Sequence, residues 1–221
     1  MYWKEEKLDD KAFVVPDDVV DLVFTIQCQT LPVDHAHALS SAIHEALPWF
    51  LEEEQAALHL IHGAESGNGW ERPEGADDLI YLSRRTKLTL RLPRHRLDEA
   101  RTLTGMELDV AGSSIQVKEA KKRLFSTSHT LFSRHIVDAG GSEDDFVEQA
   151  VAHLNNVLGL KFKKVLCGRS HSLQTPEKVL QTRSLMVADL PPSDAVTLQQ
   201  SGIGNYQKLG CGLFIPHKTL S

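Results

Sequence analysis

The order strand, helix, strand, strand, helix, strand occurs twice along the 221 residues of the chain. This order predicts an α+β protein built from two tandem ferredoxin-like (RRM-like) domains. Two further observations favour that fold: each round opens on an alternating apolar strand, and the chain closes on a C-terminal glycine-rich loop. We expect a polar lead-in over residues 1–18, a first domain over residues 19–122 and a second domain over residues 123–221.

The first round opens at Val19–Gln29, where apolar and polar residues alternate as in a strand that is buried on one face. Asp34 is the expected N-cap of a helix over His35–Leu47, and Pro48 should end that helix. The remaining elements of this round are expected as strands at Leu58–Gly63, Leu79–Ser83 and Lys87–Leu92, a loop at Glu65–Ala76, a helix from Pro93 to about Leu103, and a hairpin of Met106–Val110 with Ile115–Val117.

The second round opens at Thr130–Val137, which alternates as a strand. Ser142 and Asp145 have capping-box spacing and predict a helix that Gly159 ends. The remaining elements are expected as strands at Lys161–Gly168 and Val179–Leu190, a polar loop at Arg169–Glu177 between them, a short helix at Ser193–Gln200 and a last strand after the glycine-rich loop.

The composition, 41% hydrophobic and 24% charged, is typical of a globular protein in water. No apolar run approaches the roughly 20 residues of a membrane-spanning helix, and the charged N-terminus does not resemble a signal peptide. Three scattered cysteines form no Cys-x-x-Cys pair, so we expect a reducing, cytoplasmic location and no membrane partner. The net charge of −6 argues mildly against nucleic acid, but basic residues are locally clustered.

The glycine-rich segment runs from Gly202 to Phe214 and leads into the last strand. Its four glycines are Gly202, Gly204, Gly210 and Gly212. Successive backbone N–H groups in such a loop can form an anion site, with Lys208 as a nearby cation; a tight hairpin is the structural alternative. Tyr206 could stack on a base or be buried. Because the segment enters a strand and lacks G-x-G-x-x-G spacing, dinucleotide binding is not indicated.

The segment G-I-G-N-Y-Q-K-L-G-C-G-L-F-I-P resembles the glycine-rich loop of the RAMP superfamily of CRISPR-associated proteins. The segment L-P-V-D-H-A-H-A-L-S-S-A-I, directly after the first strand, resembles the branch that processes repeat RNA. Together with I-H-G at residues 61–63 it is most similar to the small MYXAN-subtype members. The resemblance extends from about Val19 to Pro216.

The resemblance implies an endoribonuclease that cuts the repeat RNA of a CRISPR precursor transcript into guide RNAs. It implies no metal and no other cofactor: the 2′-hydroxyl beside the scissile phosphate attacks it, leaving a cyclic phosphate and a free 5′-hydroxyl. The implied partners are the repeat RNA, the guide RNA and, in some members, other subunits of a CRISPR effector complex. A non-catalytic RNA-binding subunit of such a complex is the alternative.

Three histidines of the first predicted helix are candidates for the acid and base of that reaction, because the pKa of histidine lies near neutrality. His35, at the helix start, is the leading candidate, His37 is the second and His44 is held in reserve. The positive end of the helix dipole favours a neutral imidazole and a bound phosphate. The prediction is that His35→Ala abolishes cleavage and leaves RNA binding largely intact.

Arginine and lysine side chains in predicted loops or near the domain boundary are candidate phosphate contacts. With His171 they form the set Arg84, Arg85, Lys121, Lys122, Arg123 and Arg169. A metal site is the third alternative: His35 and His37, with Cys28 and Asp34, could ligate a metal, although no second clustered pair at zinc spacing follows. No G-x-S-x-G occurs, so a hydrolase of that type is not indicated.

Overall fold

The computed structural model describes residues 13–62 and 78–217. The predicted loop at Glu65–Ala76 lies outside the described residues. The strands are β1 (Val19–Gln27), β2 (Thr30–Pro32), β3 (Ala57–His59), β4 (Leu79–Tyr81), β5 (Lys87–Pro93), β6 (Glu107–Val110), β7 (Ser113–Arg123), β8 (Thr130–Val137), β9 (Lys164–Gln174), β10 (Val179–Ala188) and β11 (Ile215–Pro216). The helices are α1 (Ala36–Ala46), α2 (Leu97–Ala100), α3 (Glu143–Ala152) and α4 (Pro192–Ser201).

The first sheet has the strand order β3-β5-β1-β7-β6, and every neighbouring pair is antiparallel. The apolar residues that predicted β1 explain its central place, since Val20, Leu22 and Phe24 are completely buried. The face that they occupy packs against α1, which contributes Leu39 and Ile43 to the same core. A short separate sheet pairs β2 with β4.

The second sheet has the order β11-β8-β10-β9, which is the ferredoxin-like arrangement of a second round. Its core is separate and packs α3 and α4 against β8 and β10. Ser142 caps α3 as predicted: its hydroxyl accepts from the Asp145 N–H, and the Asp145 carboxylate accepts from the Ser142 N–H. The predicted fold class, two tandem ferredoxin-like domains, is confirmed; the domain boundary at residues 122 and 123 stays a prediction.

Two predicted elements were wrong, the polar loop at Arg169–Glu177 and the helix from Pro93 to about Leu103. Arg169 and His171 lie in β9, since this edge strand pairs with β10 from Lys164 to Gln174. The strand was mistaken for a loop because most of its side chains are polar and exposed. The helix predicted from Pro93 contains only the four residues of α2, between 3₁₀ turns at Arg94–Arg96 and Arg101–Leu103.

The start of α1 also differs from the prediction. His35, rather than Asp34, is the N-cap residue, and its side chain makes no capping hydrogen bond. The Asp34 carboxylate instead accepts a hydrogen bond from the backbone N–H of Gln174 at 2.6 Å. This contact ties the start of α1 to the end of β9 in the second sheet. Within the described residues no helix is both long enough and apolar enough to cross a bilayer.

Candidate functional site

The start of α1 lies where the two halves of the molecule meet. Ala36, the first residue of α1, is buried in a small cluster with Leu173, Leu180 and Cys211 from the second half. Along the same helix, α1 contacts the 3₁₀ turn Gln207–Leu209 of the glycine-rich loop. The fold therefore brings together the two segments that the sequence singled out at opposite ends of the chain.

His35 is buried at this junction, with 1% of its surface exposed. Its Nδ1 donates to the Pro32 carbonyl oxygen at 2.8 Å, and its Nε2 accepts from the Ile61 backbone N–H at 3.1 Å. These contacts require the neutral Nδ1–H tautomer. His35 cannot take a proton at Nε2 without losing the bond from Ile61, so its present contacts join α1 to the segment that follows β3.

His37 is exposed on the first turn of α1. A helix N-terminus presents backbone N–H groups and a positive dipole end to an anion. His44 lies in the last turn, is partly buried, and its Nδ1 has no hydrogen-bond partner among the described residues. Of the three predicted histidines, His37 is the most accessible to a ligand that reaches the helix start.

Most of the glycines in the loop are required by packing inside the protein. Gly202 and Gly212 have φ values of 62° and 70°, and the Ile203 N–H donates to the Gly212 carbonyl oxygen at 2.9 Å, which closes the loop. A Cβ at Gly212 would collide with the Ile203 backbone, and one at Gly210 with the Leu60 side chain. Gly204 (φ 80°) has open space around its missing Cβ, so it is the glycine at which a ligand backbone can approach most closely.

The lysine of the loop has a partner inside the protein. Lys208 Nζ donates to the Glu53 carbonyl oxygen at 2.8 Å, and burial lowers the pKa of Lys208. This contact holds the loop against the first half. Its predicted role as a phosphate contact stays a prediction, with one of the three ammonium donors already in use.

A second cation, which the sequence did not single out, lies beside the loop. Lys178, in the turn between β9 and β10, places its ammonium 5.3 Å from the centre of the Tyr206 ring. A hydrogen bond with Tyr206 raises the pKa of Lys178. Only a polar turn between two predicted strands marked this position in the sequence, and such turns are common.

A cleft of about 430 Å³ separates the two sheets. Its walls carry histidines, arginines and phenylalanines, among them His62, Arg123, Phe125, Phe132, Arg134 and His135. The His135 ring lies 6.4 Å from the His62 ring and 5.1 Å from the His171 ring, centre to centre. Of the predicted site residues, His171 approaches this cleft. The other members of its histidine cluster are His62, from the I-H-G segment, and His135, which the sequence did not single out.

The other predicted basic residues are distributed over the surface. Arg84 and Arg85 are exposed in the turn that joins β4 to β5, and Arg169 is exposed on β9. At the end of β7, Lys122 pairs with Asp17 and Arg123 with Asp21, both at 3.0 Å, whereas Lys121 is exposed. Arg123 also lines the cleft together with Gly210 and Leu213 of the loop. The roles of these six residues in RNA binding stay predictions.

Over residues 13–62 and 78–217, no group of three or more His, Cys, Asp or Glu side chains is arranged to hold a metal ion. In particular, the set proposed around His35 and His37 does not gather there. The His35 ring is directed to Pro32 and Ile61, and the Asp34 carboxylate accepts from Gln174.

The two ferredoxin-like halves of this chain occur also in solved structures that resemble it. A solved structure described as a RAMP protein binding different RNA substrates matches with a TM-score of 0.61 at 14% identity, covering 90% of this chain and all of that one. The sequence model of the Cas6 CRISPR family matches residues 20–219. This chain belongs to the Cas6 family.

Individual relatives agree with that membership. The CRISPR-associated endonuclease Cas6 of Myxococcus xanthus (strain DK1622) is 24% identical over 197 residues, which are 89% of this chain and 81% of the relative. A structure described as CRISPR associated protein Cas6 matches with a TM-score of 0.62 at 13% identity, over 90% of this chain and 100% of that one. The structural likenesses concern the fold, and the predicted family is confirmed.

Proposed function

We propose that this protein is a metal-independent endoribonuclease that cleaves the repeat RNA of a CRISPR precursor transcript into guide RNAs. Membership of the Cas6 family and the endonuclease relative from Myxococcus xanthus support RNA processing as the activity. The observation that carries the assignment of a site is the exposed His37 on the first turn of α1, beside the glycine-rich loop.

In the proposed reaction the ribose 2′-hydroxyl gives its proton to a base and its oxygen bonds to the adjacent phosphorus. The bond from phosphorus to the 5′-oxygen breaks, and that oxygen receives a proton. The products are a cyclic phosphate and a 5′-hydroxyl. We assign His37 to one of these proton transfers, because acid and base catalysis requires a group near neutral pKa within hydrogen-bond reach of the substrate.

The charge that develops on the phosphate requires positive partners. We assign this role to the N-terminus of α1, to the backbone at Gly204 and to the ammonium of Lys178, which lies beside Tyr206 of the loop. The product guide RNA stays a proposed partner, as do further subunits of an effector complex.

A non-catalytic RNA-binding subunit is the second candidate. The observation that favours it concerns His35, the leading catalytic candidate from the sequence, whose two ring nitrogens are both in hydrogen bonds within the protein. If His37 has no role in proton transfer, α1 supplies no accessible histidine on its first turn.

Cleavage of a labelled cognate repeat RNA by the full-length protein tests the proposal. We expect cleavage to persist in EDTA, because the attacking oxygen belongs to the RNA, and to stop when the ribose at the scissile phosphate is 2′-deoxy. The 2′-deoxy RNA should still bind, and it then serves as the control for affinity. Loss of cleavage in EDTA, or cleavage of the 2′-deoxy RNA, would overturn the mechanism; binding without any cleavage would favour the non-catalytic subunit.

A further inference from the structure

Arg91 is a buried arginine near the middle of β5. Its side chain is 1% exposed, and its guanidinium lies 4.7 Å from the centre of the Phe125 ring. Its Nε donates to the Asp21 carboxylate at 2.9 Å. A charge at this depth is tolerated only when it is paired and its donors are hydrogen-bonded. The acceptors of the two remaining nitrogens, Nη1 and Nη2, therefore show what else Arg91 holds in place.

Both nitrogens reach the second half of the molecule. Nη1 donates to the Gln199 carbonyl oxygen, and Nη2 donates to the Phe214 carbonyl oxygen at 3.4 Å. Gln199 is in the last turn of α4, and Phe214 directly precedes β11. Between these two residues lies the glycine-rich loop. A single guanidinium from the first sheet therefore contacts the chain on both sides of that loop.

The contact to Gln199 occurs at a backbone group that the helix leaves unpaired. The N–H that would continue the helical ladder belongs to Ile203, and it donates to the Gly212 carbonyl oxygen instead. Unpaired carbonyls and the negative dipole end make a helix C-terminus a favourable place for a cation. Arg91 thus supplies the Gln199 carbonyl oxygen with a donor where the chain leaves α4 and enters the loop.

We propose that Arg91 is a positioning residue for RNA binding: it holds both flanks of the glycine-rich loop, so that the loop has its binding conformation before RNA arrives. Preordering of a binding loop raises affinity by removing the cost of ordering it on binding. Arg91 is itself too deeply buried to touch RNA. The part of the proposal that concerns RNA rests on the proposed function.

The reactivity of Cys211, a buried cysteine of the glycine-rich loop, can report how often the loop opens. Cys211 is 1% exposed, and burial raises the pKa of its thiol to about 12. Because the thiolate is the reactive form, Cys211 should react with a maleimide only when the loop opens. Cys167, which is partly buried in β9, is an internal reference outside the loop.

The experiment measures the rate at which N-ethylmaleimide modifies Cys211, read by mass spectrometry, in the full-length protein and its variants. Arg91→Lys keeps the charge beside Asp21 but lacks the planar fork that spans two carbonyls. Arg91→Met removes the charge and the fork. We expect Cys211 to react on the order of tenfold faster in either variant while Cys167 is unchanged. Arg94→Met is the matched control, because Arg94 also pairs with an aspartate, Asp17, but is exposed and contacts neither Gln199 nor Phe214.

The affinity for cognate repeat RNA is measured on the same variants, with single-turnover cleavage at saturating RNA. We expect the Kd of Arg91→Lys to rise on the order of tenfold and the saturated cleavage rate to change far less. Unchanged Cys211 reactivity in Arg91→Lys would overturn the proposal, as would faster reactivity with an unchanged Kd. If Arg91→Met fails to fold, Arg91→Lys still decides. Wild type that neither binds nor cuts repeat RNA would overturn the proposed function, and the maleimide rate would still decide whether Arg91 orders the loop.

Discussion

Replacing His37 by Ala should reduce the single-turnover cleavage rate of repeat RNA by about 10²–10⁴-fold, the range that a positioned acid or base contributes. Because His37 is exposed and lies on the surface of α1, its loss removes no packing and the protein should unfold at the wild-type temperature. RNA affinity should stay close to that of wild type, since a proton-transfer group acts mainly in the transition state. His37→Gln, which keeps a polar side chain but cannot titrate, should lose as much activity as His37→Ala.

Two other histidines make this experiment decisive. His153 directly follows α3 and belongs neither to α1 nor to the glycine-rich loop, so His153→Ala should leave the cleavage rate unchanged. His35→Ala removes a partner from the Pro32 carbonyl and from the Ile61 N–H, which should lower the free energy of unfolding by about 1–3 kcal/mol. It should still cleave RNA at temperatures where it is folded. A folded His35→Ala variant without activity, beside an active His37→Ala variant, would return the catalytic role to His35.

The elements that the sequence predicted well are those whose signals are local. The alternation in Thr130–Val137 became β8 with the same bounds, and the Ser142 and Asp145 spacing became a complete capping box. In such segments, neighbours along the chain decide the structure through side-chain periodicity and capping hydrogen bonds. The repeated order of elements then limited the topology to the ferredoxin-like one, which both sheets adopt.

The details of the site depend on contacts between distant residues. The environment of His35 is set by Ile61, 26 positions away, and the Lys208 ammonium is bound by the Glu53 carbonyl, 155 positions away. Neither contact has a local signal. The rings of His62, His135 and His171 come from three separate segments, so no spacing in the sequence could have grouped them. The sequence patterns therefore located α1 and the glycine-rich loop along the chain, but they did not show which histidine is exposed.

Asp21→Ala should have the largest effect on stability. The Asp21 carboxylate is buried, and it accepts from Arg91 Nε at 2.9 Å and Arg123 Nη2 at 3.0 Å, with His59 Nε2 at 3.4 Å. Removing one partner of a buried ion pair leaves the other charge without compensation, which typically costs about 3–5 kcal/mol. Urea unfolding at pH 7 measures this loss. Asp17→Ala is the control, because the partly exposed Asp17 carboxylate also pairs with two cations, Arg94 and Lys122, and its removal should change stability little.

The pH dependence of the same measurement separates the charge of Asp21 from its packing. Burial raises the pKa of Asp21, but Arg91 and His59 outweigh this effect and hold the pKa far below its ordinary value. The folded state therefore binds fewer protons here than the unfolded state, and the carboxylate stabilises the protein fully above the unfolded pKa of about 3.9. The contribution should decrease as the pH falls below about 4. A difference between wild type and Asp21→Ala that persists unchanged at pH 3 would mean that packing, and not the ion pair, is what Asp21 supplies.

If the ion pair is what matters, Asp21→Ala should also speed the modification of Cys211. Without the Asp21 carboxylate, Arg91 loses the contact that orients its guanidinium toward Gln199 and Phe214.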